Sequence, residues 1–216
     1  MTTTIRAAAV LLDMDGTLVD SSAVVERVWT DWAHDHGLDP AAVMDVIHGR
    51  QGQASMALLL PERPIAENLA DNRVMLERET AESDGVVAIP GAATLMQSLA
   101  GLPHALVTSA NLPLASARMN AAGLAMPPVV ITAELVTASK PDPEGFLGAA
   151  AAFGATPADC VVFEDSEAGI TAARRAGMRV VGVGPLAAAH GPDHLVPDLA
   201  AVRVTAEGGD ITIALA

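Results

Sequence analysis

Residues 5–17 read IRAAAVLLDMDGT. The part from Ile5 to Leu12 is a short, largely apolar run of strand length, and it ends abruptly at Asp13. Such a run is typical of a parallel strand that is buried on both faces of a sheet. Two carboxylates, Asp13 and Asp15, follow where the chain leaves that strand. The segment therefore predicts a central strand with a pair of acidic side chains at its carboxyl end.

Three later segments repeat this pattern of an apolar run that stops at polar residues or glycine. They are Ala105–Val107, Cys160–Phe163 and Val180–Val183. Alanine-rich segments of helix length lie between them, at residues 91–100, 114–122, 143–153 and 166–176. This alternation predicts an α/β fold, a Rossmann-like parallel sheet with helices on both faces and ligands bound beyond the carboxyl ends of the strands. The tail, from Val202 to Ile213, predicts a final edge strand.

Residues 21–84 break the alternation. Four successive helices are predicted there, at residues 24–36, 41–47, 54–60 and 65–82. The segments on either side, around residues 17–22 and 83–91, have the polar and glycine content of hinges. We therefore expect a small helical cap domain over residues 20–85, inserted into an α/β core domain of residues 1–19 and 86–216.

Charge and composition argue against several classes of partner. The 216-residue chain has 12 Lys and Arg against 26 Asp and Glu, a net charge of −14, and 2% aromatic residues. Nucleic acid is therefore repelled and finds few side chains on which bases could stack. No apolar stretch approaches the roughly 20 residues of a membrane span, and the first residues lack a signal-peptide pattern. We expect a cytoplasmic protein that binds no membrane and, because no coiled-coil heptad is present, a monomer.

Several polar residues at the predicted strand ends are suited to phosphate chemistry. Asp13 is a candidate nucleophile or metal ligand, and Asp15 a candidate general acid and base. A solvated turn would explain these two acids alone, but Glu164 and Asp165 form a second acidic pair at another strand end, which favours a metal site. Lys140 could neutralise a phosphoryl group among these carboxylates.

Thr108 and Ser109 follow a third predicted strand. Their hydroxyl and backbone N–H groups could hold phosphate oxygens, although an isolated Thr-Ser pair is more typical of a helix N-cap. In the predicted cap, His48 and Arg50 flank a glycine at a helix end. Arg50 could reach a phosphate or a sugar hydroxyl, and the alternative is that both side chains simply interact with the helix dipole.

The motifs taken together resemble the haloacid dehalogenase (HAD) superfamily. The matching segments, in family order, are DMDGTLVDS at residues 13–21, Thr108-Ser109, Lys140-Pro141 and EDSEAGI at residues 164–170. The resemblance implies that Asp13 attacks phosphorus to give an aspartyl-phosphate, and that Asp15 protonates the leaving oxygen and later activates water. It also implies Mg²⁺ held by Asp13, the Asp15 carbonyl and Asp165, with Glu164 directly or through water. Thr108, the Ser109 N–H and Lys140 would bind the phosphoryl group.

Segments in and beside the predicted cap are most similar to those of small sugar-phosphate and sugar-alcohol-phosphate phosphatases, such as the bacterial fructose-1-phosphate and mannitol-1-phosphate enzymes. They are residues 25–29, 36–38, 47–50 and 89–92. The expected substrate is therefore a small phosphorylated sugar or polyol, bound in part by His48 and Arg50. The alternatives are a β-phosphoglucomutase, whose usual cap histidine is absent near Val25, a phosphoglycolate-type phosphatase, and a non-catalytic binding module.

Overall fold

The computed structural model describes residues 3–207 and 210–216. Its strands are β1 (Thr3–Ala7), β2 (Ala9–Leu12), β3 (Val19–Asp20), β4 (Val87–Ala88), β5 (His104–Val107), β6 (Val129–Ile131), β7 (Cys160–Glu164), β8 (Arg179–Val183), β9 (His194–Val196), β10 (Val202–Glu207) and β11 (Asp210–Leu215). Its α-helices are α1 (Ser22–Asp35), α2 (Pro40–Ile47), α3 (Gly52–Leu59), α4 (Ile65–Ala81), α5 (Ala92–Ser98), α6 (Leu112–Ala121), α7 (Glu144–Ala152), α8 (Glu167–Arg175) and α9 (Gly184–Ala187).

A six-stranded parallel sheet forms the centre of the fold, with the strand order β6-β5-β2-β7-β8-β9. Every residue of β2, β5 and β7 is buried, which accounts for their apolar sequences. Helices α5 and α6 pack on one face, where Leu95 and Leu114 join the same cluster as Leu12. Helices α7 and α8 pack on the other face, where Phe146 joins Leu11. The predicted α/β fold class is confirmed.

The predictions for the two ends of the chain are wrong in detail. The run from Ile5 to Leu12 is two strands, because the chain bends at Ala8, whose N–H donates to the carbonyl of Asp159 (2.8 Å). In β1 the exposed Arg6 lies between two buried residues, a half-buried pattern, and this strand pairs antiparallel with β11. The tail is likewise two strands, and β11 is the middle strand of a separate sheet, β1-β11-β10.

Helices α1 to α4 lie between the short strands β3 and β4, which pair antiparallel. The chain thus leaves the sheet region and returns to it through a two-stranded ribbon, with four helices between. The helical character predicted for this segment is confirmed, whereas the domain boundaries at residues 20 and 85 stay a prediction. Within residues 3–207 and 210–216, no helix combines the length and the hydrophobicity that crossing a bilayer requires.

Candidate active site

The structure brings the predicted core residues together at one edge of the sheet. Asp13 follows β2, Thr108 follows β5 and Asp165 follows β7, and these three strands are neighbours. The backbone N–H of Asp13 donates to the carbonyl of Phe163 (3.1 Å), which fixes the end of β2 against β7. The carboxyl ends of parallel strands therefore place side chains that are distant in sequence within one site.

Lys140 is the centre of this site. Its Nζ donates to Asp13 Oδ1 (2.5 Å), Glu164 Oε1 (2.8 Å) and the carbonyl of Val107 (3.1 Å), so all three N–H groups are used. The ammonium also lies 5.1 Å from the centre of the Phe146 ring, a cation–π contact. Burial works against the charged form, but Asp13 and Glu164 outweigh it and raise the pKa of Lys140. The lysine is therefore a fixed positive charge.

Glu164 is fully buried, and both of its carboxylate oxygens accept hydrogen bonds. Oε1 accepts from Lys140, and Oε2 accepts from the backbone N–H (2.8 Å) and the hydroxyl (3.0 Å) of Ser166. The Ser166 hydroxyl in turn accepts from the N–H of Gly169 (3.1 Å) and so caps helix α8. Glu164 thereby orients Lys140 and the start of α8 together.

Asp13, Glu164 and Asp165 form a buried acidic cluster, with one carboxylate oxygen of each within 4.8 Å of the others. Burial and Glu164 raise the pKa of Asp13 from 3.8 to about 8, against the opposing effect of Lys140. Burial, with Glu164 and Asp13, also raises the pKa of Asp165 well above its usual value. Three carboxylates facing a single ammonium are a set of oxygen donors that suits a hard divalent cation. The residues therefore fit a metal ion.

Gly16 makes room for this cluster. Its φ is +80°, a conformation that favours glycine, and a Cβ at this position would lie 2.0 Å from Asp165 Oδ2. The Asp-Met-Asp-Gly sequence thus needs glycine both for its turn and for the approach of Asp165.

The Thr108-Ser109 pair lies beside the acidic cluster. Thr108 Oγ1 accepts from the N–H of Ala110 (3.1 Å), and the Ser109 hydroxyl donates to the carbonyl of Gly49 (2.9 Å). Asn111, rather than either of these residues, caps helix α6. The N-cap alternative is therefore wrong for this pair. The second hydrogen bond links the sheet edge to the helical segment above it.

The loop between α2 and α3 covers the site. Gly49 has a φ of +74°, and a Cβ there would lie 2.0 Å from the Ser166 hydroxyl oxygen. Gln51 Nε2 donates to the carbonyl of Ala133 (3.3 Å) on the core side. His48 is exposed and Arg50 half-buried, and both line the cavity beneath this loop. Partial burial lowers the pKa of His48, against the effect of Asp45.

A cavity of about 730 Å³ lies between the sheet edge and the four helices, and it contains the predicted residues of both. Asp13, Asp15, Thr108, Ser109 and Asp165 line it, whereas Lys140 and Glu164 are not among its lining residues.

Sequence reasoning missed an ion-pair chain in the cavity wall. Asp15 Oδ2 binds Arg118 Nη1 (2.8 Å), and Arg118 Nη2 binds Glu79 Oε2 (2.6 Å). Arg118 and Glu79 are both buried. Burial raises the pKa of Glu79, and the Arg118 charge opposes this effect. These residues belong to no short motif, and Glu79 lies in a helix that contains many other charged residues, so the sequence does not distinguish them.

Comparison with known proteins identifies the family. Residues 7–177 match the model of haloacid dehalogenase-like hydrolases. The chain is 42% identical over 180 residues to hexitol phosphatase A of Escherichia coli, covering 82% of this chain and 83% of that protein. It is 32% identical over 187 residues to fructose-1-phosphate phosphatase YqaB of E. coli, covering 82% and 97%.

Solved structures agree on the fold. A hydrolase from Pseudomonas syringae superposes with a TM-score of 0.77 at 24% identity, over 88% of this chain and 94% of that one. The order of the motifs, their meeting at the sheet edge and these likenesses lead to one conclusion: the chain belongs to the haloacid dehalogenase-like hydrolases.

Proposed function

We propose that the protein is a Mg²⁺-dependent phosphatase that hydrolyses phosphate monoesters of small sugars or sugar alcohols through an aspartyl-phosphate on Asp13. One observation carries the proposal: Asp13 is held by the ammonium of Lys140 on the floor of a covered cavity, with a second acid, Asp15, in its wall. A nucleophile, a phosphate-neutralising cation and a separate acid and base are what phosphoester hydrolysis needs. The two relatives from E. coli are named for hexitol and fructose-1-phosphate phosphatase activity.

The reaction proceeds in two displacements. An oxygen of Asp13 attacks phosphorus, the bond from phosphorus to the substrate oxygen breaks, and Asp15 gives that oxygen a proton. A water then attacks the aspartyl-phosphate and loses a proton to Asp15, which releases inorganic phosphate and restores both carboxyl groups. Thr108 and the Ser109 N–H would hold the phosphoryl oxygens in line, and Lys140, which binds Asp13, would neutralise the charge of the phosphoryl group.

The acidic cluster is where Mg²⁺ would bind. Its ligands would be Asp13, Asp165 and the backbone carbonyl of Asp15, with Glu164 directly or through water. When bound, the cation would offset the negative charge on the phosphoryl group and the carboxylates.

The charges of the cavity wall favour a phosphate ester whose sugar or polyol part is neutral and hydroxylated over one that also carries a carboxylate. Besides the residues of the reaction, four acidic side chains line the cavity: Asp20, Glu26, Glu79 and Asp198. Arg118 is already bound by two carboxylates, which leaves Arg50 as the available guanidinium among the described lining residues. Carboxylates accept hydrogen bonds from sugar hydroxyls and repel a substrate carboxylate. This argues against the phosphoglycolate alternative.

Val25 lines the cavity, near the position where the mutases of the family carry a histidine. A valine can neither donate nor accept a proton, so this feature favours hydrolysis over phosphoryl return to a sugar.

The net charge of −14 supports a small-molecule partner rather than nucleic acid. A cytoplasmic monomer is part of the same proposal.

Phosphate release from a substrate panel tests the function. The panel contains mannitol 1-phosphate, sorbitol 6-phosphate, fructose 1-phosphate, glycerol 3-phosphate, phosphoglycolate and β-glucose 1-phosphate, each with Mg²⁺ and with EDTA. We expect release that needs Mg²⁺ and is at least about tenfold faster, as kcat/KM, for hexose or hexitol phosphates than for phosphoglycolate. Conversion of β-glucose 1-phosphate to the 6-phosphate without release would establish the mutase instead. Absence of all turnover would contradict the proposed activity and favour the non-catalytic binding module.

Arg50→Ala should separate sugar recognition from phosphate binding. If the guanidinium binds substrate hydroxyls, kcat/KM for hexitol phosphates falls about 10- to 100-fold, the effect of losing a charged hydrogen bond, while that for p-nitrophenyl phosphate changes little. Arg73→Ala, which removes an exposed arginine from helix α4, is the matched control. An equal loss of kcat/KM on both substrates would place Arg50 at the phosphate instead. If kcat/KM changed on neither substrate, Arg50 would have no role in binding and would interact only with the helix dipole.

A further inference from the structure

Both oxygens of the Asp15 carboxylate are held by residues outside its own loop. The Ser21 hydroxyl donates to Oδ1 at 2.7 Å, and Arg118 Nη1 lies 2.8 Å from Oδ2 in an ion pair. Arg118 lies on helix α6, and its side chain is 6% exposed. The orientation of Asp15 is thus set by two contacts at once, one on each side of the carboxylate.

The Ser21 contact is made at the expense of a helix cap. Ser21 occupies the N-cap position of α1, where serine side chains usually accept a backbone N–H from the first turn. Here its side chain makes no capping hydrogen bond, and its proton goes to Asp15. The hydroxyl therefore serves the carboxylate rather than the helix.

Arg118 reaches in two directions. Its Nη2 donates to Glu79 Oε2 at 2.6 Å, and Glu79 lies on helix α4, the last helix between β3 and β4. Glu79 is itself buried, so this second contact anchors the guanidinium to the helical segment above the cavity. A guanidinium presents its donors in a rigid fork, so a fixed Glu79 fixes the direction of Nη1 towards Asp15. Glu79 also offsets the charge of Arg118, which can then orient Asp15 without an excess positive charge beside it.

The two partners of Asp15 differ in what they can do with a proton. Arginine is a cation with donors and no acceptor, so the oxygen that faces Arg118 is the less favourable of the two for a proton. A serine hydroxyl both donates and accepts, so the oxygen that faces Ser21 can carry one. The contacts therefore assign the transferable proton to Oδ1.

We propose that Arg118 is a positioning residue for leaving-group protonation: it holds Oδ2 of Asp15, leaves Oδ1 to deliver the proton, and is itself anchored by Glu79. The inference rests on the proposed phosphatase activity. The role of Glu79 implies that Asp15 is correctly aligned only while helix α4 packs against helix α6. In the step concerned, the proton on Oδ1 passes to the substrate oxygen as its bond to phosphorus breaks.

Two aryl phosphates of nearly equal size test this role with Mg²⁺ present. Phenyl phosphate needs a proton on its leaving oxygen, whereas the p-nitrophenolate of p-nitrophenyl phosphate leaves without one. The kcat/KM value covers the steps up to release of the phenol, so hydrolysis of the aspartyl-phosphate does not enter it. In Arg118→Lys, we expect kcat/KM to fall about 10- to 100-fold for phenyl phosphate and about threefold or less for p-nitrophenyl phosphate.

A double variant distinguishes the loss of the positioning contact from a loss of the fold. Arg118→Met combined with Glu79→Gln removes the guanidinium and leaves no unpaired charge on α4, and it should show the same selective loss. Arg73→Met, an exposed arginine on α4, should change neither substrate. Circular dichroism and thermal melting would verify the fold of each variant.

Equal loss of kcat/KM on both aryl phosphates, in either Arg118 variant, would overturn the positioning role and make Arg118 a structural or phosphate-binding residue. Wild-type activity in both variants would overturn it as well. A wild type that turns over no phosphate ester would instead overturn the proposed function, and this inference with it.

Discussion

Asp13→Asn is expected to lower phosphatase turnover by a factor on the order of 10³ or more, because an amide oxygen is a poor nucleophile towards phosphorus. The substitution is nearly isosteric, and the asparagine carbonyl oxygen can still accept a hydrogen bond from Lys140. The loss therefore reports the chemistry of the carboxylate rather than a change in the shape of the cavity.

Rapid quenching of the wild type with a labelled substrate should trap a phosphate that is bound to protein and is released by hydroxylamine, as expected for an acyl phosphate. Asp13→Asn should trap none. Asp142→Asn changes an aspartate in the exposed loop before α7 and is a suitable control for the chemical change alone. Activity of the Asp13 variant within tenfold of wild type, or a trapped phosphate in it, would refute covalent attack by Asp13.

The same variant should also change how stability depends on pH when no metal is bound. Burial and Glu164 raise the pKa of Asp13 from 3.8 to about 8 in the folded protein. Between these values the unfolded chain has released the proton and the folded chain retains it, so the free energy of unfolding of the wild type falls as pH rises. Asp13→Asn removes this contribution. Thermal melting in EDTA should therefore show a shallower decline with pH for the variant, and Mg²⁺ should flatten the decline of the wild type.

The features that sequence reasoning predicted correctly are those that local patterns encode. The strands β2, β5 and β7 are buried on both faces, so each is a visible apolar run that stops at polar residues: Asp13, Thr108 and Glu164 respectively. The prediction that these ends converge needed only the general geometry of parallel sheets. Lys140 was found because it is one of only 12 basic residues and forms a recognisable motif with Pro141.

The features that were missed depend on long-range pairing. The division of residues 5–12 between β1 and β2 follows from the pairing of β1 with β11 at the far end of the chain, which no local pattern specifies. The chain from Asp15 through Arg118 to Glu79 joins a loop and two helices, and each charged residue alone has the sequence environment of an ordinary surface residue. Contacts of this kind are set by how helices pack, so they become visible only in three dimensions.

Lys140→Met is expected to lower the free energy of unfolding of the metal-free protein by about 3–5 kcal/mol, because it removes the positive partner of a buried ionic cluster. Nζ contacts Asp13 and Glu164, and Asp165 lies in the same cluster, so three carboxylates would face one another without a cation. The loss should be greater near pH 9 than near pH 6, since at the lower pH protons can replace the ammonium on the carboxylates. Urea denaturation at the two pH values measures this difference.

The double variant Asp13→Asn/Lys140→Met separates charge from packing. It removes one negative and one positive group together, so its stability should recover a large part of the loss if unpaired charge is the cause. If packing against Phe146 were the cause, the double variant would be no more stable than Lys140→Met.

Mg²⁺ should stabilise Lys140→Met more than it stabilises the wild type, because the cation would then be the only positive charge in the cluster. Turnover of Lys140→Met should still fall about 10²- to 10³-fold with Mg²⁺ present, since the lysine also neutralises the phosphoryl group in the transition state. Full activity in Mg²⁺ would mean that Lys140 only stabilises the folded protein.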